Sequence, residues 1–127
     1  MNPSSPFPQP GVEYSRVQIS NRLGGGIQQY LPSRNGRVTA VCVDPEKNPD
    51  APAEILVGTG PGIIRAGCML SEQDGSLPVF LKRGNKRWES IGDYRVTRWS
   101  EEPTLLSIKG RQRKGRAVTR VIYLEPE

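Results

Sequence analysis

Glycine and proline constrain this chain more than any other feature. There are 14 glycines and 12 prolines among 127 residues, about one position in five. Each proline removes a backbone donor and fixes φ, and each glycine weakens the interior of a helix or strand. Long uninterrupted elements are therefore excluded, and short elements joined by turns are expected. With 35% apolar residues the chain can bury one core, and a second independent core is not expected at this length. No apolar run approaches the roughly 18 residues that would span a bilayer, so no membrane role is expected. MNPSSPFPQPGVEYSR has no apolar centre, so no signal peptide is expected. Two cysteines rule out a disulfide scaffold and suggest free thiols in a cytoplasmic protein. Histidine is absent, which removes every mechanism that needs an imidazole, from Ser-His-Asp triads to His-dependent nucleases.

Charge supplies the next constraint. The net charge is +5, and its distribution is uneven. Lys109, Arg111, Arg113, Lys114, Arg116 and Arg120 follow one another without an acidic residue between them. Lys82, Arg83, Lys86 and Arg87 form a second group. Either group alone could be a solvated hairpin end. Two of them in one small domain suggest a face that contacts phosphates, with Arg22 a further candidate.

Along the chain, residues 1–11 read as a flexible, proline-rich N-terminal arm, and residues 12–127 as one domain. VEYSRVQISNRL reads as a short helix stopped by Gly24-Gly25-Gly26, with a strand as the rival reading. RVTAVCVD is apolar on both faces and should form a central strand. DPEKNPDAPAE is a loop, EILVG a buried strand and GTGPG a tight turn. IIRAGCMLSEQ reads as an amphipathic helix with Ile64, Cys68 and Leu70 facing the core. LPVFLKR and WESIGDYRVTRW form strands around the turn RGNKR. SEEPTLLSIKGRQRKGR reads as a loop, and AVTRVIYLE as the last strand. The fold class that follows is α+β: a small curved mixed sheet or partly open barrel with one or two covering helices.

Few residue groups could carry chemistry. GTGPG superficially resembles a phosphate loop but lacks the lysine of GxxxxGK[ST] and the spacing of GxGxxG. It is a turn that needs positive φ, or one that lets the backbone and the N–H groups of the next helix approach an anion. Cys42 and Cys68 form no CxxC and read as buried thiols. Asp44, Glu46 and Asp50 sit on one proline-rich loop, a poor scaffold for acid–base or metal chemistry. Neither a metal nor a cofactor is expected. Tyr30, just past the glycine run, fits no strand period and could wall a pocket for a planar ligand.

NKRWESIGDYRVTRWSEEP, followed by a basic loop and VTRVIYLEPE, resembles the carboxyl half of SRA (YDG) domains. In those domains a Y-D-G-x-Y-x-V strand leads to an aromatic residue and an acidic-proline turn. Trp88, Ile91, Gly92, Tyr94, Val96 and Trp99 occupy those places. YSRVQISNRLGGGIQQYLPSRNG resembles the helix, Gly-Gly, x-Gln opening of bacterial SRA-like domains, some of them fused to HNH nucleases. ILVGTGPG is similar to the family's Y-T-G-x-G turn. The likeness runs in family order over residues 12–125.

The resemblance implies a PUA-like fold that binds DNA bearing a modified base, typically 5-methylcytosine, flipped into a pocket. Family pockets combine aromatic faces, an acidic reader of the Watson–Crick edge and a turn threonine beside the modification. Thr59 matches the threonine, and Asp44 or Asp50 stands where the acid would fall. Gly58 replaces the turn tyrosine, so Tyr30, Trp88 or Trp99 would supply the stack. The family's long insertion after the turn is absent. The expectation is thus a non-enzymatic reader of modified nucleic acid, with duplex DNA as partner and a nuclease as a further one in a restriction-associated setting. The alternatives are a PUA-like RNA-binding or targeting module, and a protein-interaction module with no nucleic-acid ligand.

Overall fold

The computed structural model describes residues 6–127. In chain order the elements are β1 (Glu13–Tyr14), α1 (Arg16–Leu23), β2 (Ser33–Arg34), β3 (Arg37–Val38), β4 (Val41–Val43), β5 (Glu54–Val57), α2 (Pro61–Ser71), β6 (Ser76–Gly84), β7 (Arg87–Ser100), α3 (Pro103–Gln112) and β8 (Arg120–Pro126). One sheet has the order β4-β6-β7-β8-β5, with β1 added on β7, and it does not close into a barrel. The β4–β6 pair is parallel and the other pairs are antiparallel, so the sheet is mixed, as expected. The small hairpin β2–β3 turns at Asn35 and Gly36, both at positive φ, the geometry that an Asn-Gly pair adopts most readily.

Local chemistry accounts for the helices. α1 begins with a capping box in which the Ser15 hydroxyl accepts from the Gln18 N–H and the Gln18 side chain accepts from the Ser15 N–H. It ends at Gly24, whose φ of 84° is open to glycine. α2 starts at Gly60 with Pro61 in its first turn. α3 lies where the sequence suggested only a loop. Pro103 opens it, and the Glu102 carboxylate accepts from the N–H groups of Thr104 and Leu105. That acceptance holds the Glu102 carboxyl below its ordinary pKa. The sheet thus carries three helices among the described residues rather than one or two.

The core lies on both faces of the sheet. On one face α2 lays Leu70 against Val41, Val43, Ile55, Val57, Val79 and Ile122, all buried. On the other face α1 brings Ile19 onto Cys42 and Phe80. At the far end α3 covers Leu56 and Val121 with Leu105 and Leu106.

Two expectations are corrected. RVTAVCVD does not form a central strand. It divides into β3 and β4, and β4 lies at the edge of the sheet. Its two apolar faces belong to different clusters, Val41 and Val43 to the α2 side, Ala40 and Cys42 to the α1 side. Its free edge is not left open, since the Cys42 N–H donates to the Tyr30 carbonyl. Within α2, Leu70 is buried as expected, but Ile64 is 40% exposed. Gly67 takes the core-facing position, because α2 approaches β5 too closely there for a side chain.

Residues 1–5 of the proline-rich arm lie outside the described residues. Beyond them, the Phe7 ring stands edge-on to Tyr14, and the Gly11 N–H donates to the Ser90 carbonyl.

Candidate nucleic-acid interface

Three segments converge on one side of the molecule: the turn after α1 (residues 24–30), the β4–β5 loop, and the chain after α3. The glycine-rich turn is held by Arg16, whose guanidinium donates to the carbonyls of Gly26 and Gln29 at 3.2 and 2.7 Å. The same guanidinium stands 5.2 Å from the centroid of the Trp88 ring. This clamp sets Tyr30, whose hydroxyl donates to the Ile63 carbonyl at 2.7 Å and so ties the turn to the first turn of α2. Burial drives the Tyr30 phenol well above its ordinary pKa, which keeps it neutral.

Tyr30 stands between two adjoining cavities. The first, about 340 Å³, has Tyr30, Leu56, Ile63 and Ala66 as its apolar wall. Its polar wall is Gln28, Gln29, Lys47, Asn48, Arg113 and Arg116, with Gly58 and Gly62 beside them. The second, about 300 Å³, shares Gln28, Tyr30, Lys47 and Asn48 with the first. It adds Trp88, Asp44, Lys82, Cys42 and Arg16. A third hollow runs from Asp44 and Lys82 onto the β6–β7 hairpin through Arg83 and Asn85. The first two volumes lie at the small end of the range for ligand sites. Asn48, on the shared wall, is buried, and its Oδ1 accepts from the Leu56 N–H at 2.8 Å, which leaves its amide donors for a ligand.

The structure brings together Tyr30, Asp44 and Trp88 of the expected base pocket. The other three stand apart. Thr59 is exposed on its turn and lines neither cavity, although the neighbouring Gly58 does. Asp50 pairs with Lys109 at 2.9 Å. Trp99 sits near the other end of β7 beneath the Arg120 guanidinium, 3.7 Å from its ring centroid.

The basic residues divide in the same way. Lys82, Arg113 and Arg116 line cavities, and among the described residues none is in an ion pair. Arg111, Lys114 and Lys86 are exposed and line none of these three cavities. Arg83 is paired with Glu89, and Arg87 with Glu13 through two hydrogen bonds. Arg22 stacks over Phe7 at 4.6 Å. Lys109 is buried between Asp50 and Glu54, which places it in the framework rather than on a phosphate-facing surface.

Sequence reasoning missed Arg16, Gln28, Gln29, Lys47 and Asn48. The two glutamines carried a usable signal, since they stand one residue past the glycine run. Asn48 was only one residue of the DPEKNPDAPAE loop, because nothing local shows that its oxygen accepts from Leu56.

The family model described as Domain of unknown function (DUF6697) matches residues 13–109. No curated protein matches the chain. A solved structure described as "Crystal structure of SUVH5 SRA- hemi methylated CG DNA complex" is similar over 98% of this chain and 91% of that one. The TM-score is 0.62 and the sequence identity 12%, so the likeness shows an SRA-like fold.

Proposed function

The chain belongs to the DUF6697 family, and we propose that it is a non-enzymatic reader of modified nucleic acid, with duplex DNA carrying a modified cytosine turned out into the paired cavities. The observation that carries this reading is the placement of Tyr30. One ring serves two small cavities whose lining includes Lys47, Lys82, Arg113 and Arg116. Extruding a base costs a few kcal/mol. Stacking on an aromatic face returns about 1–3 kcal/mol per base, and hydrogen bonds to the base edge supply the rest. Tyr30 and Trp88 offer the faces, while Asp44 and Asn48 offer an acceptor and donors. Asp44 is the group suited to accept from a cytosine amine. The SRA-like fold supports the reading, since the similar structure is of a domain in complex with hemimethylated DNA.

Fluorescence anisotropy tests it with duplexes that differ only in one central cytosine: unmodified, 5-methylated or 5-hydroxymethylated. Tighter binding to at least one modified duplex is expected, with affinity that falls steeply as salt rises. Equal weak binding to all three, or a complex indifferent to salt, would refute it. Arg111→Glu with Lys114→Glu should weaken all three complexes alike and flatten the salt slope by about two, since phosphate contacts carry no base information. Tighter binding to single-stranded RNA at matched salt would replace DNA as the ligand.

A further inference from the structure

We infer that the cavity between Tyr30 and Arg113 is an oxyanion subsite, which holds a phosphate or carboxylate borne by the bound nucleotide. The ligand class rests on the reading above, whereas the oxyanion itself does not.

The lining is one-sided in charge. Lys47, Arg113 and Arg116 border this cavity, and no carboxylate does. Several cations elsewhere are matched, Arg83 with Glu89, Arg87 with Glu13, Arg120 with Glu101 and Lys109 with two acids, whereas among the described residues these three are in no ion pair. Lys47 and Arg116 are exposed, while Arg113 is half-buried. Its Nε and Nη1 are shielded from solvent and have no hydrogen-bond partner. Burial and the neighbouring Arg116 guanidinium both pull its pKa down. Shielded guanidinium donors without an acceptor are rare because their lost hydration is not returned. An oxyanion in the cavity would supply the acceptor and the counter-charge, with a small movement of the side chain to meet it.

Another part of the lining points the same way. Gly62 and Ile63 belong to the first turn of α2, where N–H groups lack intrahelical acceptors. The Gly60 cap provides no side-chain acceptor for them. Such a helix start favours an anion, and here it borders the same cavity as the two arginines. Asn48 adds its amide donors, while its oxygen already accepts one hydrogen bond from Leu56. A cytosine amine would find no carboxylate in this cavity, so the Asp44 cavity next door suits it better. The two cavities thereby divide the labour, one for the base edge and one for an oxyanion. That oxyanion is either the phosphate of the extruded nucleotide or a carboxylate on the base.

Two measurements test this on the full chain. In the first, ¹⁵N-labelled protein is titrated with inorganic phosphate, with deoxycytidine 5′-monophosphate and with deoxycytidine. Saturable shifts of the Gly62 and Ile63 amides and of the Arg113 Nε–H are expected with the two anions and not with the nucleoside. Shifts confined to the β6–β7 hairpin, or the same shifts in Arg113→Gln, would overturn the subsite. In the second, anisotropy compares duplexes with a central cytosine, 5-methylcytosine or 5-carboxylcytosine. Loss of a charge-assisted contact in Arg113→Gln should weaken binding by about tenfold or more. If the oxyanion is the backbone phosphate, all three duplexes lose alike. If it is a base carboxylate, the 5-carboxylcytosine duplex binds tightest and loses most. Arg113→Lys, which keeps charge but not the forked donors, should fall between. Should Arg113→Gln fail to fold, Arg116→Gln, on an exposed side chain, carries the same comparison.

DNA binding untouched by either arginine variant overturns the subsite and leaves the reader intact. Absence of DNA binding with the phosphate shifts retained overturns the reader and supports the subsite.

Discussion

Gly67→Ala should destabilise the protein although it replaces a helical glycine by the best helix former. A Cβ at position 67 would stand 2.7 Å from Val57 Cγ2, 3.0 Å from Cγ1 and 3.3 Å from the Tyr30 hydroxyl. Ordinary carbon contacts are about 3.5–4.0 Å, so the surfaces must part by about 1 Å. Val57 cannot easily retreat. It is buried, it pairs with Arg120 of β8, and its carbonyl accepts from the Thr119 N–H. Overpacking of this kind costs about 1–3 kcal/mol. Alanine recovers about 1 kcal/mol of helix propensity. The net is a loss of about 1 kcal/mol, or about 4 °C in Tm for a chain of this length. Gly62→Ala in the same helix is the control, since a Cβ there meets nothing within 4 Å. It should be neutral to mildly stabilising. Thermal and urea unfolding of both variants read the difference. A Gly67→Ala protein as stable as wild type would refute the close-approach reasoning. So would an undiminished penalty in a Val57→Ala background, where the clashing methyls are gone. Because Tyr30 bonds to Ile63 on the same helix, Gly67→Ala should also weaken nucleic-acid binding, whereas Val57→Ala combined with it should recover part of the loss.

Other outcomes follow from the ionisable and thiol groups. Lys109→Ala leaves Glu54 and Asp50 without their shared cation and should cost about 2–3 kcal/mol, below the fully buried range because Asp50 is half exposed. The bonds to Glu54 and then Asp50 raise the Lys109 pKa. Its contribution is therefore complete below the ordinary lysine value of 10.5 and disappears as pH climbs through the raised one. The stability gap between wild type and Lys109→Ala should shrink in that alkaline window, and a constant gap would contradict the pairing. Glu102 has the opposite sign. Its carboxyl is held low by the Leu105 and Thr104 N–H groups, so its stabilisation of α3 is present above pH 4.5 and fades as pH falls through the depressed value. The Tm difference between wild type and Glu102→Ala should close in acid, and a difference that widens there would exclude the capping role. Burial pushes the Cys42 thiol up to about 12, so at pH 8 a thiol reagent should modify Cys42 only after unfolding. Rapid native labelling at Cys42, located by mass spectrometry, would refute its placement.

Much of the fold was legible because local chemistry dictates it. Ser15 and Gln18 write a capping box, Gly24 stops α1, and the alternation of β7 and β8 is plain in the residues. α3 reads as a loop in the sequence, because the glycines and serines of a basic stretch mask its weak apolar face, although Glu102-Pro103 carries a start signal. β4 misled for a different reason. Apolar residues on both faces report burial on both sides, which an edge strand gains when a helix covers one face and the main core the other. Tyr30 stood out as an aromatic without a strand period. Trp88 and Asp44 could be named, yet nothing local distinguished them from Trp99 and Asp50.

The order of short elements, the glycine turns, the exclusion of imidazole chemistry and the two basic stretches are properties of neighbouring residues, and they could be read in one dimension. Which cations remain unmatched is not such a property. Lys109 meets Asp50 across 59 positions and Arg87 meets Glu13 across 74, so two apparently free charges are already neutralised. Among the described residues Arg113 finds no such partner, and it shares a cavity with the start of α2, far earlier in the chain. Coulombic pairing and cavity walls depend on distance in space, and chain folding alone sets which distant residues become neighbours.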